Sequence, residues 1–129
     1  MSSTRVENAI PVLGVADLFR SRDFFTKVLD FTEDWGFEPG AKVGSVGRDG
    51  SSIMLSEYEK PGMTVWVGVE DIVPFYRLAA SSGCQITQKP TNQYWAFEFR
   101  TLDPDGNTLW FGSGPLEGVE FETEVVVEL

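Results

Sequence analysis

The feature that most limits the fold of this chain is an internal repeat. The segment GVAD at 14–17 recurs as GVED at 68–71, an offset of 54 residues (71 − 17). The segment DGSSIML at 49–55 recurs later as DGNTLWF at 105–111, an offset of 56 residues (105 − 49). Two matches at nearly one offset indicate that one structural unit is built twice. Because 129 residues correspond to about one domain, we predict a single domain over 1–129, with repeats 8–58 and 63–113 and a C-terminal extension over 114–129.

Each repeat has the pattern of a strand, a helix and three further strands. A first strand, predicted at 9–15 and again at 64–69, leads to an aspartate that can cap a helix. Apolar residues at helical spacing follow each aspartate. The remaining strands are predicted at 31–37, 42–48 and 52–57, and at 85–88, 94–102 and 107–112. The sequence therefore predicts an α+β fold of two tandem βαβββ modules.

Composition narrows the range of functions. Twenty acidic and ten basic residues give a net charge of −10, which argues against nucleic-acid and membrane partners and favours attraction of cations. The chain has no histidine and one cysteine, Cys84, so a histidine base, an internal disulfide and a thiolate zinc site are excluded. No apolar run approaches roughly 18 residues and the first residues do not look like a signal peptide. We therefore expect a cytoplasmic protein.

Four stretches carry a resemblance to a known superfamily: AIPVLGVAD at 9–17, RDFFTKVLDF at 22–31, WVGVED at 66–71 and YWAFEFRTLDPDGN at 94–107. Over 8–113 the chain resembles the vicinal oxygen chelate superfamily of glyoxalase I, extradiol dioxygenases and fosfomycin and bleomycin resistance proteins. The pattern is most similar to the bleomycin resistance proteins. The resemblance implies a cupped half-barrel and a homodimer whose clefts form between subunits. It does not decide the function, because this fold serves many chemistries.

The resemblance also implies where a metal would bind. Metal-using members place their ligands at four strand positions, which are Ile10, Met54, Thr64 and Trp110 in this sequence. None of these is the His, Glu or Gln that the superfamily uses, and apolar side chains offer no donor to a divalent cation. We therefore expect neither a metal nor another cofactor, and assign no catalytic residue.

Period-two alternation predicts which side chains face the cup and which pack under the helices. Trp66 and Trp110 face the cup with Met54, whereas Val65 and Leu109 point to the core. An aromatic, apolar face of this kind suits a flat organic ligand. The candidate ligand-binding residues are Trp35, Met54, Trp66, Tyr94, Glu98 and Trp110.

Two of these residues leave alternatives open. Trp35 is either a wall of the cleft or a core residue at the start of the second strand. Glu98 shares a face with Arg100, so its carboxylate either forms a cross-strand ion pair or faces the cup and binds a ligand cation.

The favoured function is a metal-free binding protein that sequesters a small aromatic or cationic ligand, as in antibiotic resistance. The alternative is a lyase, isomerase or dioxygenase of the same superfamily with an atypical site that rests on Glu98, Tyr94 or Tyr58. A third possibility is a filled cup and a role in interactions only. The extension over 114–129, in which apolar residues and glutamates alternate weakly, is expected to form an extra edge strand or a dimer contact.

Overall fold

The computed structural model describes Arg5 and residues 7–129. It confirms the predicted α+β class and the two tandem βαβββ modules, which do not close into a barrel. The first module comprises β1 (Val12–Gly14), α1 (Leu18–Asp23), β2 (Thr32–Gly36), β3 (Val43–Arg48) and β4 (Ser51–Ser56). The second comprises β5 (Thr64–Gly68), α2 (Val73–Ser81), β6 (Ile86–Asn92), β7 (Phe97–Leu102) and β8 (Thr108–Ser113). A short strand, β9 (Thr123–Glu124), follows.

Both modules have the same sheet topology, as expected from the repeat. The strand order is β1-β4-β3-β2 in the first sheet and β5-β8-β7-β6-β9 in the second. The first and last strands of each module pair in parallel, and the other pairs are antiparallel. Strands β1 and β5 each have one neighbour and so form an edge of their sheet within the described residues.

Helix α1 begins where the sequence predicts, and α2 begins one residue later, with Ile72 in place of Asp71 at the N-cap. The Asp17 carboxylate accepts hydrogen bonds from the backbone N–H groups of Phe19 and Arg20, at 3.0 and 3.1 Å, and so caps α1. A wider π-helical turn over Phe24–Val28 continues α1. In the second module the Asp71 carboxylate accepts from the N–H of Val73 at 3.0 Å, at the start of α2.

The core lies between each helix and the near face of its sheet. Phe111 of β8 stacks against Phe75 of α2 at 4.9 Å and against Phe99 of β7 at 5.0 Å between ring centroids. In the first module, Phe25 is buried with Leu55 of β4. The residues that alternation predicts to point inward are therefore the buried ones, and each sheet keeps its other face free of helices.

Several strand boundaries differ from the sequence prediction. The strand predicted at 9–15 is shorter, and β6 extends to Asn92 instead of ending at 88. The strand predicted at 94–102 begins at Phe97, because Gln93 and Ala96 close a turn through a 2.8 Å backbone hydrogen bond. In the C-terminal extension, β9 pairs with β6 and forms the extra edge strand. Among the described residues, neither helix has the length and apolar character that a membrane crossing needs.

Candidate functional site

Three predicted site residues of the second module, Trp66, Glu98 and Trp110, share the helix-free face of its sheet. Residues that are directly paired across strands point to the same side of a sheet. One row across β5, β8 and β7 consists of Trp66, Trp110 and Arg100. The next row consists of Gly68, Gly112 and Glu98. We call these six residues the indole face.

Two tryptophans dominate the indole face. The rings of Trp66 and Trp110 pack edge to face, with centroids 4.9 Å apart and planes at 89°. Trp66 keeps 47% of its surface exposed, whereas Trp110 is half-buried. The Trp110 Nε1 atom is sealed from solvent without a hydrogen-bond partner among the described residues. The Trp66 ring is therefore open to solvent, and the Trp110 ring packs against it.

The two glycines of the second row make room for the Trp66 ring. A Cβ atom at Gly112 would overlap the six-membered ring of Trp66, and one at Gly68 would lie 3.1 Å from its Nε1 atom. The indole therefore lies directly over bare backbone. Any larger residue at Gly112 would displace it.

A buried carboxylate lies in the same row as these glycines. Glu98 is 2% exposed, and its Oε1 atom accepts a hydrogen bond from the indole N–H of Trp95. No other hydrogen bond or ion pair to this carboxylate occurs within the described part of the chain. Glu98 therefore forms no cross-strand ion pair among the described residues, and none with Arg100 two residues further along β7. Glu98 instead keeps accepting capacity on Oε2, and a buried carboxylate favours such a partner strongly.

A hollow of about 450 Å³ lies between Trp66 and Trp95. Its floor includes Gly112, and Ala96 and Ser113 form part of its wall. Trp95 is 50% exposed, so its ring is available on the side of the hollow. The hollow is shallow and wide open to solvent.

The first module places two predicted site residues on the corresponding face of its own sheet. Met54, Ser45 and Trp35 form one row across β4, β3 and β2. Trp35 is 51% exposed, so the core alternative is wrong for this residue. No hydrogen bond or aromatic contact of the described residues joins Trp35 or Met54 to the indole face.

A β-bulge between Glu33 and Trp35 adds a carboxylate that the sequence analysis missed. Asp34 accepts hydrogen bonds on Oδ2 from the hydroxyls of Ser45 and Ser52, both at 2.9 Å. The direction of the Asp34 side chain depends on the bulge, and no local sequence pattern predicts this bulge.

The remaining predicted residue, Tyr94, lies in the turn before β7 and is exposed. Its ring packs edge to face on Trp95 at 4.8 Å. It therefore lies beside the hollow without reaching Trp66 or Trp110 through an aromatic contact in the described structure. Trp95 itself was missed as a site residue, because its bond to Glu98 depends on the turn that shortens β7.

Comparison with known proteins identifies the family. The model of the Glyoxalase/Bleomycin resistance protein/Dioxygenase superfamily matches residues 9–111. The chain belongs to this superfamily. The resemblance inferred from the sequence motifs is thus confirmed, and membership of the superfamily accounts for the repeated βαβββ module. Among curated proteins, none matches the chain significantly.

Solved structures with a similar fold include an antibiotic binding protein and a bleomycin-binding protein. TnmS3, an antibiotic binding protein from Streptomyces sp. CB03234, is 21% identical with a TM-score of 0.74 and matches 90% of this chain and 99% of its own. TioX from Micromonospora sp. ML1 is 16% identical with a TM-score of 0.75, over 84% and 98%. The bleomycin-binding protein of Streptomyces verticillus, solved with copper(II)-bleomycin, is 24% identical with a TM-score of 0.66, over 86% and 98%. At these identities the likeness shows a shared fold.

The superfamily's metal positions do not fit a metal in this chain. Ile10, Met54, Thr64 and Trp110 offer three apolar side chains and one hydroxyl, which is not a ligand set for a divalent cation. The described residues contain no group of three or more His, Cys, Asp or Glu side chains that could hold an ion. No metal-dependent step follows from these residues.

Proposed function

We propose that this protein binds a small planar aromatic ligand on the indole face and sequesters it without transforming it, as in antibiotic resistance. One observation carries the proposal: the half-exposed Trp66 ring is held edge to face by Trp110 beside a hollow of about 450 Å³. A planar ligand gains dispersion and hydrophobic free energy by stacking on such a ring, and it needs no metal.

Charge favours a ligand with a cationic or hydrogen-bond-donating group. Glu98 lies in the row beside that of Trp66, and among the described residues its carboxylate accepts only from Trp95 on Oε1, which leaves Oε2 able to accept a further hydrogen bond. The net charge of −10 adds a long-range field that attracts cations. The antibiotic binding of TnmS3 and of the bleomycin-binding protein supports a small-molecule antibiotic as the ligand.

We further propose a homodimer in which the first module of one copy faces the second module of the other. The unpaired edges of β1 and β5 support association. Such a pairing brings Trp35, Met54 and Tyr94 into a shared cleft with the indole face and uses all six candidate residues. The single-domain organisation and the cytoplasmic location stay predictions. Light scattering during size-exclusion chromatography measures the mass, and a monomer of 14.4 kDa at micromolar concentration would contradict the dimer.

Quenching of tryptophan fluorescence tests the binding proposal, with metal-free bleomycin and the planar cation proflavine as probes. We expect Trp66→Ala to weaken binding at least about tenfold, because it removes the exposed stacking surface. Leu78→Ala on α2 is the matched control: it removes a partly exposed apolar side chain from the opposite side of the sheet and should bind like the wild type. Equal affinities of Trp66→Ala and wild type would refute the site.

Elemental analysis of the purified protein tests the metal-free part of the proposal. We expect less than stoichiometric Mn, Fe, Ni and Zn. One tightly bound equivalent of any of these metals would instead favour the enzyme alternative of the superfamily.

A further inference from the structure

Arg100 has an unusual environment for a cation in this chain. It lies in the middle of β7 on the indole face, and its guanidinium carbon is 4.2 Å from the centroid of the Trp110 ring. All twenty acidic side chains belong to the described residues, and no ion pair among those residues includes Arg100. Its Nε atom is sealed from solvent without a hydrogen-bond partner among the described residues, and the residue as a whole is half-buried.

The two other stacked arginines of the described structure show what Arg100 lacks. Arg22 lies over Phe19 at 5.0 Å and also pairs with Asp23. Arg48 lies over Phe75 at 4.6 Å and also donates to the backbone carbonyl of Leu29 at 2.9 Å. Each of these cations has both an aromatic ring and an oxygen acceptor.

Within the part of the chain that the structure describes, Arg100 has the ring without an oxygen acceptor. The Trp110 ring attracts the guanidinium charge but offers its N–H donors no oxygen acceptor, so these donors can still bind one. The Trp110 ring also holds the side chain in one orientation, so less conformational entropy is lost when the two Nη atoms bind a ligand.

We infer that Arg100 binds an acidic group of the ligand, a carboxylate or phosphate, through Nη1 and Nη2. This inference rests on the proposed function and names the second functional group of the same ligand. Two Nη donors match the two oxygens of a carboxylate or phosphate in a fork. The long-range field of the chain repels anions but is screened beyond about 10 Å in 0.1 M salt, so retention of an anion needs a local cation of this kind.

The position of Glu98 fixes how such a ligand lies. Glu98 and Arg100 are two residues apart on one face of β7, which separates their Cα atoms by about 7 Å. The acidic group of the ligand therefore lies on the Trp110 side, away from the Glu98 carboxylate, and its donor group lies toward Glu98. The ligand class is a planar aromatic compound with an acid at one end and a hydrogen-bond donor or cation at the other.

Matched naphthalene probes test the inference. We expect wild-type protein to bind 2-naphthoate and 2-naphthyl phosphate at least about tenfold more tightly than the neutral, nearly isosteric 2-naphthamide, as measured by tryptophan quenching and calorimetry. Arg100→Met keeps an apolar stem over Trp110 and removes the fork. It should abolish this preference and change the affinity for 2-naphthamide less than about twofold.

Arg100→Lys keeps the charge and removes the planar fork, and we expect it to retain only part of the preference. A wild type without preference for the acids, or a preference that persists in folded Arg100→Met, would overturn the inference. If Arg100→Met does not fold, the inference is judged by two results: the wild type must prefer the acids, and Arg100→Lys must reduce that preference. Binding of 2-naphthamide without a preference for acids defeats this inference alone, whereas no binding of any probe to the wild type defeats the proposed function as well.

Discussion

At the scale of single residues, Glu57 links the end of the first sheet to the start of α1. Its Oε2 atom accepts a hydrogen bond from the backbone N–H of Leu18 at 2.9 Å, and its Oε1 atom accepts from Lys42 Nζ at 3.2 Å. The bond from Leu18, followed by the bond from Lys42, holds the pKa of Glu57 below its ordinary value. This carboxylate supplements the Asp17 cap, because the first N–H groups of a helix have no partner within the helix.

We expect Glu57→Gln to flatten the acid side of the stability profile. The folded pKa of Glu57 is lower than the unfolded one, so the unfolded chain binds the proton first as the pH falls. The stabilisation is present above the unfolded pKa and is lost as the pH falls through the folded pKa. Urea unfolding at several values between about pH 7 and about pH 3 measures this.

The matched control for this prediction is Glu59→Gln, which changes an exposed glutamate two residues further on. Its stability profile should run parallel to that of the wild type. If the Glu57→Gln profile also runs parallel, the role of Glu57 at the start of α1 is wrong.

At the scale of elements, β8 determines the position of the Trp66 ring. Its residues alternate between Leu109 and Phe111, which fill the core, and Trp110 and Gly112, which form the indole face. One face of β8 therefore packs in the core, and the other forms part of the indole face. The glycine is required because the indole of the neighbouring strand lies where its side chain would be.

Gly112→Ala should displace the Trp66 ring and separate the tryptophan pair. We expect a stability loss of about 1–3 kcal/mol from overpacking, measured by urea unfolding. The circular dichroism signal of the coupled indoles should weaken. Gly114→Ala is the control, since no atom lies within 4 Å of the Cβ position there. An unchanged dichroism spectrum and unchanged stability in Gly112→Ala would show that the ring does not depend on this glycine.

The strands also show which parts of the candidate site the sequence alone predicts. Alternation placed Trp66 and Trp110 on the helix-free face correctly, because the register of β5 and β8 is regular. Asp34 and Trp95 were missed because a bulge and a tight turn decide their directions. Such local irregularities depend on tertiary pairing, which hydrophobic periodicity does not encode. The ligand-binding role of all six candidate residues stays a prediction.

At the scale of the whole molecule, a polar network joins the two modules. The buried Asn107 side chain accepts on Oδ1 from the backbone N–H groups of Gly62 and Met63, at 2.7 and 3.0 Å. Its Nδ2 atom donates to the carbonyl of Gly14 in the first module and to Asp103, both at 2.9 Å. The amide therefore connects β1, the linker before β5 and the last turn of the second module.

A second contact of this turn reinforces the junction. Asp105 accepts on Oδ1 from the backbone N–H of Ala16 at 3.0 Å and also pairs with Arg20 of α1. The turn of the second repeat thus holds the start of the first helix. The corresponding turn of the first repeat, with Asp49 and Ser51, is exposed. The repeated turn therefore contacts the other module in the second repeat and faces solvent in the first.

We expect Asn107→Ala to weaken the coupling between the modules. The substitution leaves the buried Gly14 carbonyl and the part-buried N–H groups of Gly62 and Met63 without their partner, which costs about 1–3 kcal/mol. Urea unfolding measures the stability and the coupling when it is followed by two signals. Tryptophan fluorescence reports mainly on the second module, and far-ultraviolet circular dichroism reports on the whole chain. In the wild type the two transitions should coincide, and in the variant they should separate. Ser51→Ala, the counterpart in the first repeat, should leave stability and coincidence unchanged. If Asn107→Ala behaves like Ser51→Ala, the modules are held together by apolar packing and not by this network.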